Sequence, residues 1–173
     1  DYFRYASVWI DKLTHPGGRV TDLTNTNRLV RFYAGCDGFK TGSTDAAKYC
    51  VAATAEKNGM RLVAVVLGAS NSQTRFNEAR QMLEYGFAAY QRTTVARKGD
   101  LLGQSLSVRG GSSEEVPLML GNGLSLLLKK GQETNLAIEL CLPENVQAPV
   151  IQGDVLGTVN VLLDGMVIAR LNC

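Results

Sequence analysis

The amino-acid sequence predicts an α+β fold, with antiparallel strands and packed helices over residues 1–91 and a small, all-β, sandwich-like domain over residues 92–173. Three observations carry this expectation. Apolar residues recur at helical spacing between Ser72 and Tyr90. Two short apolar runs, Tyr49 to Ala55 and Arg61 to Leu67, are joined through Asn58-Gly59, a dipeptide that favours the tight turn of an antiparallel hairpin. Beyond about Gln91, helical spacing gives way to short alternating runs separated by glycine.

In chain order, Tyr2, Phe3, Ala6, Trp9, Ile10 and Leu13 stand three or four apart, which predicts an amphipathic helix ended by Pro16-Gly17-Gly18. A polar stretch around Asn25 to Asn27 follows, and then Gly38-Phe39-Lys40-Thr41-Gly42 leads into the hairpin. In the next helix the apolar stripe is Phe76, Ala79, Met82, Leu83, Gly86, Phe87 and Tyr90, with Arg75, Glu78 and Glu84 largely off it. Asn71 or Ser72 is placed to cap its first turn. In the second part, Leu136, Ile138, Leu140 and Leu142 alternate with Asn135, Ala137, Glu139 and Cys141, the period of a strand with one buried face. Val159, Val161 and Leu163 repeat the pattern, and Asp164-Gly165 turns the chain into Met166 to Leu171.

Composition narrows the function. With 45% hydrophobic and 20% charged residues the chain can bury a core. Its 18 basic and 16 acidic residues include no basic block, which gives no reason to expect a nucleic-acid partner. The first 91 residues carry 11 basic and 8 acidic side chains and the rest carry 7 and 8, so an anionic ligand belongs with the first part. No apolar run approaches the ~20 residues that span a bilayer, and Asp1-Tyr2-Phe3-Arg4 lacks the layout of a signal peptide. The cysteines, Cys36, Cys50, Cys141 and Cys173, form no Cys-x-x-Cys pair and His15 is the only histidine, so neither a zinc site nor another metal is expected. Cys50 and Cys141 lie in apolar runs and read as small buried hydrophobes. An even count would also permit pairing in an oxidising compartment, which leaves the redox environment open.

Lys40-Thr41-Gly42 sits on or beside a strand at the edge of a sheet. There, an extended peptide can add to the exposed backbone, with lysine supplying a fixed cation and threonine a hydroxyl donor, while glycine allows close approach. A given triplet arises by chance roughly once in 8,000 positions, and on its own this one reads first as a strand end entering a turn.

Longer stretches decide between these readings. Asn25-Thr26-Asn27-Arg28-Leu29, Asp37-Gly38-Phe39-Lys40-Thr41-Gly42-Ser43-Thr44, Ala53-Thr54-Ala55 and Gly59 to Gly68 closely resemble the low-molecular-mass penicillin-binding proteins, which are serine-type D-alanyl-D-alanine carboxypeptidases. Ala79-Arg80 and Leu83-Glu84-Tyr85-Gly86-Phe87 continue the match, and the nearest branch looks like the sporulation-associated enzymes of Gram-positive bacteria. The resemblance covers essentially residues 1–91, the C-terminal part of a beta-lactamase/transpeptidase-like domain. Residues 92–173 look like that family's β-rich C-terminal domain, through Gly153-Asp154-Val155-Leu156-Gly157-Thr158 and the turn at Leu163-Asp164-Gly165.

The resemblance implies acyl transfer without a cofactor. A serine attacks the terminal amide of a peptidoglycan stem peptide ending in D-alanyl-D-alanine, D-alanine leaves, and water hydrolyses the acyl-enzyme. Beta-lactams acylate the same serine. The family's site is assembled from Ser-x-x-Lys, Ser-x-Asn or a close variant, and Lys-Thr-Gly. Only the third occurs here, since no serine is followed three positions on by lysine or two positions on by asparagine. The expectation is therefore a truncated or cleaved enzyme, inactive by itself.

By resemblance, Lys40 contributes charge and hydrogen bonding to catalysis, and Thr41 binds the substrate's terminal carboxylate beside Gly42. The backbone N–H of Ser43 forms half of the oxyanion hole. Arg75 helps to hold the carboxylate. The lesser reading of Arg75, which stands off the apolar stripe, is a solvated arginine on the outer face. The alternative function is a non-catalytic peptidoglycan-binding or protein-interaction module. The substrate places the protein outside the cytoplasm, in the cell envelope, with contact to a membrane surface only through a tail that these residues lack.

Overall fold

The Asn58-Gly59 signal sets the centre of the first sheet. Both residues take positive φ, 52° and 71°, as a two-residue turn matched to strand twist requires. They join β4 (Lys48–Lys57) to β5 (Met60–Ala69) in an antiparallel register that starts at Lys57↔Met60. On the other side of β4 lies β3 (Cys36–Thr44), also antiparallel, so the order is β3-β4-β5. The computed structural model describes residues 2–173, and its contacts divide the chain into two units, Asp1–Tyr90 and Gln91–Cys173.

Alternation along the strands turns Val51, Ala53 and Ala55 of β4 and Ala64 and Val66 of β5 to one face. There they form a core with Phe76, Ala79 and Leu83 of α3 (Ser72–Ala89) and with Leu29 and Tyr33 at the ends of α2 (Leu29–Phe32). Of the two cap candidates Asn71 takes the role, accepting the Thr74 N–H at 2.8 Å. Gly86 lets α3 approach β5 closely, since a Cβ there would lie 2.5 Å from Leu62 Cδ1. The stripe on α3 differs from expectation at one place, Met82, which is half exposed, and Arg75, off the stripe, is buried, against the lesser reading of a solvated outer-face arginine.

The first segment departs further. Helix α1 covers only Tyr2–Ala6, and Ile10–Thr14 is β1, paired antiparallel with β2 (Val20–Thr24) from Ile10↔Thr24 to Thr14↔Val20. All ten strand residues are exposed, so the helical spacing of Trp9, Ile10 and Leu13 has no core to meet there. Residues 20–24 instead satisfy the backbone as a partner strand. Pro16-Gly17-Gly18 forms the hairpin's loop, with Gly17 and Gly18 at φ 88° and 83°.

The second unit is built from small sheets. β6 (Tyr90–Ala96) lies beside β9 (Leu124–Lys129), and β7 (Leu101–Arg109) lies between β8 (Glu115–Met119) and a parallel neighbour, β11 (Asn145–Gln147). β10 (Leu136–Cys141), β12 (Thr158–Leu163) and β13 (Met166–Asn172) form an antiparallel sheet. Asp164 and Gly165, at φ 51° and 78°, make the β12–β13 turn. Val159, Val161, Leu171 and Cys173 form the core with Ala96 and Leu120, and Leu136, Leu140 and Leu142 join them, while Ile138 of the same alternation stays exposed. The thiols are free. Cys36 and Cys173 are buried and Cys50 is half-buried, but Cys141 is exposed and not the buried hydrophobe its surroundings suggest, because it stands on the outward side of β10. The chain is thus α+β, with antiparallel strands and helices followed by a β-rich module.

Candidate functional site

Lys40-Thr41-Gly42-Ser43 occupies the C-terminal half of β3. Among the described residues that strand pairs only with β4, which leaves its outer edge open. Residues paired across strands share a face. Thr41↔Val51 therefore places Thr41 on the core side, and Lys40↔Ala52 and Gly42↔Cys50 place Lys40 and Gly42 on the opposite side. The Lys40 ammonium donates to the Thr41 carbonyl. Ser43, opposite Tyr49, is exposed at the strand end. A Cβ added to Gly42 would meet no atom within 4 Å, so the space glycine leaves open is solvent at the strand edge.

At the other end of β3, Asp37 is tied to both β4 and β5. Thr54 Oγ1 donates to Asp37 Oδ1 at 2.6 Å, Arg61 Nη1 lies 2.8 Å from Asp37 Oδ2, and Arg61 Nη2 donates to Glu56 at 2.5 Å. The hydrogen bond with Asp37 pushes the Arg61 guanidinium further above its already high ordinary value. The Tyr2 hydroxyl donates to the Phe39 carbonyl at 2.9 Å, which fixes α1 against this end of the strand. Burial pushes the Cys36 thiol above its ordinary value of 9.0, and the charge of Asp37 adds to the effect.

Arg75 fastens the other end. It is 7% exposed, and its Nη1 donates to the carbonyls of Gly42 and Cys50, both at 3.1 Å, while Nη2 donates to Ser72 Oγ at 3.3 Å. The guanidinium lies 4.7 Å from the Phe76 ring centre and 5.5 Å from that of Tyr49. Its Nε has no hydrogen-bond partner among the described residues. The structure therefore brings Arg75 to the Lys-Thr-Gly strand through main-chain bonds to Gly42 and Cys50.

Sequence reasoning assigned no role to Thr26, whose Oγ1 is 2.7 Å from Thr41 Oγ1. The available signal was its position between two asparagines. Asn25 Nδ2 donates to the Ala6 and Val8 carbonyls at 2.8 and 3.0 Å, and Asn25 Oδ1 accepts the Asn27 N–H. Asn27 Oδ1 accepts the Leu29 N–H at 3.1 Å. These local bonds fix the loop that carries Thr26, and the Thr26–Thr41 pair joins it to β3.

A shallow hollow of about 360 Å³ opens beside this strand, lined by Lys40, Thr41, Gly42, Cys50, Val65 and Leu67. Its apolar wall is the outer side of β5, where Val63, Val65 and Leu67 are 62%, 51% and 76% exposed. A larger hollow, of about 560 Å³, belongs to the second unit and is walled mainly by apolar side chains such as Leu118, Ile151 and Val155.

Residues 4–71 match the family described as D-alanyl-D-alanine carboxypeptidase, and residues 90–173 match the family described as penicillin-binding protein 5, C-terminal domain. The chain belongs to the D-alanyl-D-alanine carboxypeptidase family. It is 38% identical over 168 residues to D-alanyl-D-alanine carboxypeptidase DacF of Bacillus subtilis, covering 96% of this chain and 43% of that protein. It is 37% identical over 143 residues to D-alanyl-D-alanine carboxypeptidase DacC of Escherichia coli, covering 82% of this chain and 36% of that one. The structure of penicillin-binding protein 5 from Haemophilus influenzae superposes with a TM-score of 0.68 at 28% identity, over 98% of this chain and 48% of that one. The chain thus spans less than half the length of these relatives.

Proposed function

We propose that these residues form one wall of the active site of a serine-type D-alanyl-D-alanine carboxypeptidase, which removes the terminal D-alanine of peptidoglycan stem peptides outside the cytoplasm. The observation that carries this reading is the Lys-Thr-Gly segment on an open strand edge, anchored by Asp37 at one end and Arg75 at the other. A stem peptide lies extended along β3 and exchanges main-chain hydrogen bonds with it. Lys40 supplies positive charge and hydrogen bonding near the reacting serine. The Thr41 hydroxyl donates to the terminal carboxylate, and the buried charge of Arg75 strengthens that site from the core side. The Ser43 N–H points to where the tetrahedral oxyanion develops, and the second donor comes with the serine.

The nucleophile is not among these 173 residues, which contain neither Ser-x-x-Lys nor Ser-x-Asn. In this proposal it is carried by further chain, of the kind that the relatives' greater length supplies, seated on the open apolar side of Val63, Val65 and Leu67 beside Lys40. Beta-lactams acylate the completed site. The test is covalent labelling by a fluorescent penicillin. A protein of the relatives' length that includes these residues is labelled at a serine outside them, and the 173 residues on their own are not. Labelling of the isolated 173 residues would overturn the placement of the nucleophile.

The absence of both serine motifs also favours a second reading, a non-catalytic peptidoglycan-binding or protein-interaction module. Retention on peptidoglycan by a longer protein that neither reacts with penicillin nor releases D-alanine would select it.

A further inference from the structure

Thr41 is proposed above to donate to the substrate's carboxylate, and this inference rests on that reading. A hydroxyl has one proton and two lone pairs. The Thr41 hydroxyl is already 2.7 Å from that of Thr26, and either oxygen can be the donor in this pair. If Thr41 spends its proton on Thr26, it presents a lone pair to an incoming carboxylate, which repels it. If Thr26 donates, the Thr41 proton is free to point at the carboxylate and its rotor is fixed in advance. The two arrangements differ only in the direction of one hydrogen bond, and an anion on Thr41 selects the second.

We infer that Thr26 is a positioning residue for carboxylate recognition, its hydroxyl donating to Thr41 Oγ1 so that Thr41 donates to the terminal carboxylate of the substrate. The surroundings suit that task. Thr26 is exposed at the strand edge, but its backbone is held on both sides, by Asn25 bonded to Ala6, Val8 and Asn27, and by Asn27 bonded to Leu29. Asn27 is 1% exposed, which roots the loop in the core. Arg75 fixes the carbonyl of Gly42, next to Thr41, from the core side. A hydroxyl presented from an anchored loop to one on an anchored strand loses little freedom on binding, and this is how preorganisation adds to affinity.

The experiment uses the longer protein that includes these residues and follows D-alanine release from a peptide ending in D-alanyl-D-alanine, comparing the free carboxylate with its C-terminal carboxamide. Replacing the hydroxyl by a methyl in Thr26→Val lowers kcat/KM for the free acid by up to about tenfold, mainly through KM, the upper end of what one neutral hydrogen bond contributes. The carboxamide substrate, whose neutral carbonyl accepts a weaker hydrogen bond from Thr41, falls by a smaller factor, and Thr26→Ser restores the free acid. Thr26→Ala repeats the comparison if the valine variant melts early. An equal fall on both substrates would make Thr26 merely structural, and no fall on either would remove its role; both outcomes overturn the inference. A wild-type protein that releases no D-alanine and takes no penicillin label would instead sink the carboxypeptidase reading itself, and the inference with it.

Discussion

On one face of the β3-β4-β5 sheet, Val51, Ala53, Ala64 and Val66 are closed under Phe76, Ala79 and Leu83 of α3, whereas on the other face Val63, Val65 and Leu67 lie open beside Lys40. Strand β5 is apolar on both sides, the pattern of a strand buried on both faces, yet the described residues bury only one. Among the described residues the opposite face is covered near Asp37 and Arg61, where Ala6 of α1 stands against Gly38 and the Phe3 ring lies 4.4 Å from the Arg61 guanidinium. The closed face supplies stability. The open face carries Lys40 and the hollow next to it. Under the proposal, Lys40 acts from the open side while Thr41 and Arg75 reach the strand edge from the core side, so substitutions deep in the core and on the open face should affect different measurements.

The largest effect belongs to the closed face. Leu83→Ala removes a side chain that is fully buried in the core and costs about 2–5 kcal/mol of unfolding free energy in the 173-residue chain, read by denaturant melts. Asn71→Ala, which leaves the Thr74 N–H without its cap, costs about 1 kcal/mol by the same measurement.

The Cys36 thiol, buried beneath the same face, gives the sheet a pH dependence. Its folded value is raised above 9.0, so as pH climbs past 9.0 the unfolded chain loses this proton first and stability declines toward the folded value. Melts between pH 8 and pH 10.5, a range chosen about that thiol value, should show a decline that Cys36→Ala makes shallower. An unchanged slope would show that the burial is not felt.

The smallest effect is expected on the open face, and it sharpens the comparison. Leu67→Ala changes the stability of the 173 residues by less than about 0.5 kcal/mol, as exposed substitutions do. In the longer protein, where the proposal covers this face, the same change costs about 2 kcal/mol or more. Equal small costs in both would mean that nothing covers Leu67.

Much of the fold was legible where the signal was local. Asn58-Gly59 and Asp164-Gly165 mark turns because their positive φ values suit few other residues, and the α3 stripe from Phe76 to Leu83 records a real core. The β1–β2 hairpin was not legible. Its strands are exposed throughout, so apolar spacing over Tyr2 to Leu13 recorded no burial, and the pairing of Ile10 with Thr24 is not written in either segment by itself. The burial of Arg75 was not legible in the helix for a related reason. Its charge is satisfied by carbonyls from β3 and β4, residues 33 and 25 positions away, which no periodicity on α3 can reveal. The Lys-Thr-Gly segment was readable as a motif, but its link to Thr26 rests on a contact between hydroxyls 15 positions apart.

The most direct test of the central claim is the acylation rate by fluorescent penicillin in the longer protein, wild type against Lys40→Ala. Lys40 is exposed on its strand, so the variant should melt at the wild-type temperature. Its acylation should fall about a hundredfold or more, the scale on which removal of one electrostatic group at a reacting centre is felt. Acylation at the wild-type rate would contradict the assignment of this strand edge as a wall of the active site.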